Sequence, residues 1–355
     1  MGGRKMENPN VSYIYKLSEK EEKTVFRVLE NYNFDVINIA KVRNVYRVET
    51  SCGNVCLKRI KHGRHKIING NILAEGFINE GFGNIAKYYK TKNNETYVRY
   101  KGSVFYITEW IDGEECNLDS IEEAKNCVKL LAQYHMTCNN IEMKKLKIKN
   151  KLRDWPRIFK ENLHDLEKFE RIINRKKLKC EFDMVYLNYI ESVYNRGIIA
   201  LRLLNTSNFY KLCKQARKDK TVCHAGFYHE DIIKRGQGYY IIDLDNIIVD
   251  LRVNDLGKFI RQLMFKKTHK WDFQKAKLII EEYCSIVQLN RNELETMLAL
   301  IIFPHKFCKL GKKRYIKHKV WEETKYTYKL NRLVRYNTNQ DRFLDDYLAY
   351  INNKQ

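Results

Sequence analysis

Transfer of a phosphoryl group needs three kinds of side chain: a lysine to hold phosphates, carboxylates or an amide to hold magnesium, and an aspartate to orient the attacking hydroxyl. The sequence offers the first two at widely separated positions. Lys58 sits in the strand-like run VCLKRI, and Glu75 stands in the helical stretch that follows. Asp231 and Asp243 stand at the two ends of IIK-RGQG-YYIIDLD, which reads as a hairpin, and His224 precedes them in TVCHAGFYHED. Each also has an ordinary structural role open to it: Lys58 as a surface lysine on a strand, Glu75 as a solvated helix residue, Asp231 as a turn or cap residue. Only their joint spacing gives them a chemical reading.

The elements that would position them follow from periodicity. Val36 to Ile39, Val45 to Thr50 and VCLKRI form a β-meander turned by SCGN. A helix over about Ile67 to Glu80 ends at Gly81, and strands at Tyr97 to Tyr100 and Phe105 to Trp110 are joined by the turn KGS. Beyond Asp112-Gly113 the pattern becomes helical, with Val128, Leu131 and His135 at helical spacing. His135 has no second metal-type side chain near it in sequence and is expected to be a packed helix residue. A basic helical stretch runs from about 146 to 218, the hairpin interrupts it, and helices fill the remainder. The expectation is an α+β fold of two lobes: residues 1–111 a small β-rich lobe with one helix, residues 112–355 a large helical lobe containing the segment 222–257.

At 355 residues the chain is long for one compact core, and its three prolines (Pro9, Pro156, Pro304) leave no flexible linker. The longest clean apolar run, Met297 to Phe303, is too short to span a bilayer, and the opening MGGRKMENPN lacks a signal-peptide core. Position 6 is Met where a myristoylation signal needs Ser or Thr, so no lipid anchor is expected, and translation could begin at Met1 or Met6. The chain is therefore expected to be made in the cytoplasm, with no membrane partner. Ten scattered cysteines show no zinc-type spacing and are expected to be mostly buried thiols. The net charge of +23 gathers in two runs: Lys144 to Lys160 has eight basic residues against Asp154, and Phe303 to Arg335 has eleven against Glu322 and Glu323. Such charge suits a polyanion, but a solvated helix face is the commoner outcome. No recognised nucleic-acid module accompanies it, so a nucleic-acid partner is not expected and a nucleic-acid-binding protein driven by the two basic runs stays only a third, weaker reading.

The segment CHAGFYHEDIIKRGQGYYIIDLD resembles the His-x-Asp-x-x-x-x-Asn, hairpin, Ile-Asp pattern of the aminoglycoside and choline kinase-like superfamily. The resemblance implies a two-lobed protein-kinase-like fold in which His224 is the loop histidine, Asp243 a magnesium ligand, Lys58 the phosphate-binding lysine with Glu75 its partner, and Asp255 in DLGKF the support of the catalytic loop. TEWIDG, with Glu109 and Trp110, matches the interlobe hinge that would face an adenine ring. Two departures stand out. The catalytic aspartate falls at Gly226, which has no side chain to orient a hydroxyl, and the metal-binding asparagine falls at Asp231, still able to bind magnesium. The first hairpin, AKVRNVYRV, also lacks the glycines that bring a loop close to phosphates.

FYITEWIDGEEC, YYIIDLDNIIVDLRVNDLGKFIRQLM and IIFPHKFCKLGKKRYIKHKVW narrow the resemblance to the CotS family of spore coat proteins, from about Leu17 to Ile351. It implies a protein made in the mother-cell cytoplasm and deposited in the spore coat among other coat proteins. There it would act as a pseudokinase-like scaffold, with ATP and Mg the ligands a degenerate site could retain and no cofactor required. The alternative is an active ATP-dependent phosphotransferase using a displaced acid, His229, Glu230 or Asp231.

Overall fold

The computed structural model describes residues 14–15, 17–61, 63–142 and 146–354. Met1 and Met6, the alternative starts, and Lys144 and Lys145 of the first basic run lie outside these residues. The chain forms two compact units that are not colinear with the sequence. The first gathers residues up to Glu115, 140–148 and 230–247; the second gathers 116–139, 149–229 and 248 onward. The hairpin, grouped by sequence with residues 112–355, is thus part of the first unit.

In that unit the elements run β1 (Ile14–Tyr15), α1 (Glu19–Leu29), β2 (Val36–Val42), β3 (Val45–Thr50), β4 (Gly53–Ile60), α2 (Arg64–Asn79), β5 (Tyr88–Tyr89), β6 (Val98–Tyr100), β7 (Ser103–Glu109) and β8 (Glu114–Glu115). Seven strands form one antiparallel sheet in the order β1-β2-β3-β4-β7-β5, with β6 also on β7. Strand alternation divides its residues between two faces. Val48, Val55, Leu57, Phe105 and Ile107 pack with Val25, Val28 and Leu29 of α1, while Val104 and Tyr106 meet Ile67 of α2 on the other side. Each of these fully buried aliphatics contributes roughly 2 kcal/mol.

The unit therefore has two helices where one was expected. α1 begins at a capping box in which Ser18 and Glu21 satisfy each other's backbone N–H groups, and Val25, Val28 and Leu29 are its buried positions. The Ser-x-x-Glu signal and this spacing were both present in the sequence.

The hairpin Ile232–Arg235 and Gly238–Ile241 closes through Gly236, whose φ of 59° suits a two-residue turn. It is held to the first unit by antiparallel pairing of Ile233 and Lys234 with β8, and by Ile241, whose backbone bonds Asn84 and Ala86. Gly113 makes the approach possible, since a Cβ there would collide with the Lys234 carbonyl.

The second unit contains α3 (Ile121–Cys138), α4 (Trp155–Asn174), α5 (Glu181–Thr206), α6 (Phe209–Lys218), α7 (Arg252–Met264), α8 (Phe273–Cys284), α9 (Arg291–Ile302), α10 (His305–Gly311), α11 (Glu323–Val334) and α12 (Asn337–Asn353). A π-helical turn, Lys312–Ile316, continues α10. Strand Ile248–Val249 pairs antiparallel with Val222–Cys223 and parallel with Lys149–Asn150. No helix among the described residues is long and apolar enough to cross a membrane. Seven of the ten cysteines are buried, and Cys52 is exposed.

Candidate nucleotide and metal site

Lys58 stands opposite Tyr106 in the β4–β7 register, on the sheet face away from α1. Its ammonium donates to the Ile242 carbonyl at 2.8 Å and lies 4.0 Å from Oδ1 of Asp243. Burial acts to lower its pKa, but the facing carboxylates, Asp243 first, outweigh this and raise it. Two of the sequence candidates 185 positions apart thus meet within one unit.

Glu75 does not join them. It is half exposed and pairs with Lys90 at 2.8 Å, so the expected Lys58–Glu75 pair is replaced by Lys58–Asp243. A helix-borne glutamate could be placed on α2 from sequence, but the rotation of α2 against the sheet could not.

Asp231 ends the short 3-10 turn His229–Asp231, and its carbonyl accepts from the Ile242 N–H at 3.1 Å. Burial, and then repulsion from Asp243, pushes its carboxyl up to about 7. A third carboxylate, missed in the sequence, completes the group. Asp245 is 8% exposed, takes a hydrogen bond from the Tyr106 hydroxyl and a longer one of 3.4 Å from Tyr88, and donates its N–H to Asp243 Oδ1 at 2.9 Å. Its pKa is also raised, by burial and by Asp243. Tyr88 and Tyr106 stack at 5.8 Å, and Gly70 of α2 leaves room for the Tyr88 hydroxyl. The signal for Asp245 was its place two residues beyond Asp243, but only the tyrosines from β5 and β7 give it a role.

Three carboxylates, Asp231, Asp243 and Asp245, therefore act on one ammonium, and two of them resist ionisation. A hard divalent cation suits such an oxygen-rich, charge-deficient group. Asp231 and Asp243 are the side chains that would hold it, and when bound it would neutralise phosphate charge.

Glu109 and Trp110 lie at the end of β7. The Glu109 N–H donates to Lys87 O at 2.7 Å and the Trp110 N–H to Asn54 O at 3.3 Å, while Asp112 takes the Trp110 indole N–H at 3.1 Å. Both backbone donors thus have partners within the protein, and an adenine would have to displace them or use neighbouring groups.

The loop carrying His224 and Gly226 belongs to the second unit. Asp255 on α7 accepts the backbone N–H of His224 at 2.6 Å and of Ala225 at 3.1 Å. Ala225 is the left-handed residue of this loop, with φ of 64°. His135 is buried on α3; its Nδ1 meets the Tyr283 hydroxyl at 2.8 Å and its Nε2 lies 3.5 Å from Asp255. Burial works against the Asp255 charge, yet His135 first, then Lys258 and His224, hold its pKa below the usual range. His135, Cys223 and Asp255 lie close enough to share a metal, but these contacts already engage the Asp255 carboxylate and His135. At Gly226 the loop presents no side chain.

The fold is that of the kinase-like phosphotransferases. An aminoglycoside phosphotransferase from Alicyclobacillus acidocaldarius superposes with a TM-score of 0.81 over 96% of this chain and 98% of its own, at 18% identity. Amicoumacin kinase, solved with AMP-PNP and Ca2+, gives 0.57 at 13% identity over 92% and 96%. Spectinomycin phosphotransferase, solved with ADP, gives 0.54 at 14% over 90% and 98%. Within this class, the chain belongs to the family described as spore coat putative kinase YutH, whose model matches residues 26–347. It is also 25% identical over 341 residues to spore coat protein S of Bacillus subtilis, covering 92% of this chain and 94% of that protein. The chain is a kinase-like protein of a spore coat family.

Proposed function

We propose that this protein is a pseudokinase-like component of the endospore coat, made in the mother-cell cytoplasm and built into the coat among other coat proteins. In this reading it binds a nucleotide with a divalent cation but does not transfer the phosphoryl group. The observation that carries it is Gly226: Asp255 still holds the backbone of the loop at His224 and Ala225, while the position two residues after His224 offers no carboxylate to orient a hydroxyl. Lys58, Asp231 and Asp243 support retained binding. ADP and AMP-PNP occur with the spectinomycin phosphotransferase and the amicoumacin kinase of this fold.

The test is a nucleotide panel read by thermal unfolding with and without Mg, followed by phosphate release from any binder. A magnesium-dependent rise in melting temperature with background turnover is expected. Gly226→Asp, which restores the side chain, would gain turnover if the other ligands are assembled.

A second reading, an active ATP-dependent phosphotransferase, draws on Asp231, whose carboxyl at about 7 lies where a general base works best. Under it, robust turnover would fall on the order of 100-fold or more in Asp231→Ala or Glu230→Ala. That result would refute the scaffold reading.

A further inference from the structure

Six of the eleven basic residues in the run Phe303 to Arg335 line a concavity. A cavity of about 1040 Å³ in the second unit has eight cations in its lining. Lys266 and Lys267 follow α7; Lys306, Lys309 and Lys313 come from α10 and the π-helical turn; Lys329, Arg332 and Arg335 come from α11 and its end. The one acid in the wall, Asp119, is already taken by Lys266 at 3.1 Å and by the Thr268 hydroxyl at 2.7 Å. Among the described residues, none of the other seven cations has a carboxylate within ion-pair distance.

What faces those charges is aromatic. The Trp321 ring gathers the ammonium groups of Lys313, Lys325, Lys319 and Lys329 at 4.6, 5.1, 5.4 and 5.6 Å. Lys306 lies 5.3 Å from the Phe265 ring, and Arg332 5.8 Å from Tyr328. Ring quadrupoles offset only a fraction of a full charge. Burial and then neighbouring cations depress the pKa of Lys306 and Lys313 alike. This is a positive field converging on a hollow with no counter-charge inside it.

We propose that this cavity binds a compact polyanion carrying several phosphate groups. The concave shape favours a short, dense anion over an extended polymer, which would need a charged stripe along the surface. The ammonium groups act as point charges towards phosphate, and Arg332 and Arg335 add planar donor forks. The site is independent of the nucleotide reading, since its residues differ from those around Lys58.

The experiment titrates the full chain with inorganic tripolyphosphate in EDTA, against monophosphate, across a salt series. Tripolyphosphate is expected to bind far more tightly than monophosphate, with affinity falling steeply as salt rises. Lys309→Gln/Lys313→Gln/Lys329→Gln is expected to lower the affinity roughly 10-fold or more and to flatten the salt slope by about 1 per lysine removed. Lys277→Gln, on α8 and paired with Glu281, should leave it unchanged. A melting temperature of the triple variant at or above that of the natural chain shows that it folds. Asp243→Ala should keep tripolyphosphate binding while losing the nucleotide response, so the two readings fail separately. Equal binding of monophosphate and tripolyphosphate, or an unaffected triple variant, would overturn the proposal. So would tight binding of an oligothymidylate or an oligoglutamate that tripolyphosphate does not displace.

Discussion

Two regions of this molecule carry opposite and uncompensated charge. Around Lys58, three carboxylates share one ammonium; around Trp321, eight cations share one carboxylate that is already paired. The response of neighbouring titratable groups mirrors this. In the first region Asp231 is pushed up to about 7, away from a negative charge, by burial and then by Asp243; in the second, Lys306 and Lys313 are pushed down, away from a positive one, by burial and then by neighbouring cations. Residual charge that folding leaves unpaired costs stability, and both patches are compact enough for an ionic ligand to relieve it. A net charge of +23 thus hides a local site of the opposite sign.

The largest effect expected is at the acidic site. In the function proposed above Asp243 is a metal ligand, and Asp243→Asn should weaken Mg-dependent ADP binding by on the order of 10- to 100-fold, the range for outer-shell partners of a metal. Calorimetric titration measures this, and an affinity within a few-fold of the natural protein would break the acidic half of the comparison.

A smaller effect concerns His305 of FPHKF, enclosed by Phe159, Phe303 and Trp155 with ring centroids at 5.4, 4.9 and 5.4 Å. Its folded pKa, about 3, lies below the ordinary value near 6.5, so the unfolded chain binds the extra proton between those limits. Its contribution is therefore intact at neutral pH and is lost as pH falls through 6.5 towards 3. At pH 5 the loss is about 2 kcal/mol. His305→Phe should flatten that part of the stability profile in chemical denaturation at pH 5 and 7; an unchanged difference between the two pH values would remove His305 as its source.

The smallest effect sharpens the basic half. Lys309→Gln should raise the stability of the ligand-free protein by roughly a few tenths of a kcal/mol at low salt, since it removes a cation that has no carboxylate partner. The gain should vanish near 1 M salt, where screening extends only about 3 Å. A loss of stability at low salt would mean that the lysine is paired in solution.

Much of the first unit was legible in the sequence. The meander, the helix after it, the strands before TEWIDG and the Gly236 turn follow from alternation and turn chemistry, which are local properties of the backbone. α1 was legible too, through Ser18 and Glu21, but its short buried stripe of Val25, Val28 and Leu29 is a weaker signal than a strand's alternation.

The candidate site was legible in its residue types and not in its pairings. Lys58, Asp231 and Asp243 stood out because a strand lysine and hairpin carboxylates at that spacing suit phosphate and metal. Asp245 did not, because its meaning depends on Tyr88 and Tyr106 arriving from other strands, and on Gly70 leaving space for one of them. Glu75 was assigned the wrong partner for the same reason: a helix position can be read from sequence, but the azimuth of the helix against a sheet is set by packing. The sequence shows the amount of charge in the run Phe303 to Arg335, for which a solvated helix face is the commoner outcome. Counting charge in a sequence gives its amount, whereas its field depends on whether α10, α11 and the turn after α7 fold around a hollow.

The strands and the helix after the meander, and the surplus of positive charge, are matters of residue type and local spacing and were open to reading in the sequence, while the kinase-like order and the glycine in place of a hydroxyl-orienting carboxylate were implied by the family resemblance. That Lys58 meets Asp243 rather than Glu75, that Asp245 is the third carboxylate, and that eight basic residues line one cavity, six of them from the run Phe303 to Arg335, follows only from the tertiary structure. Those are contacts between segments far apart in the chain, and they exist only once burial of the apolar faces has fixed how the helices and strands lie against one another.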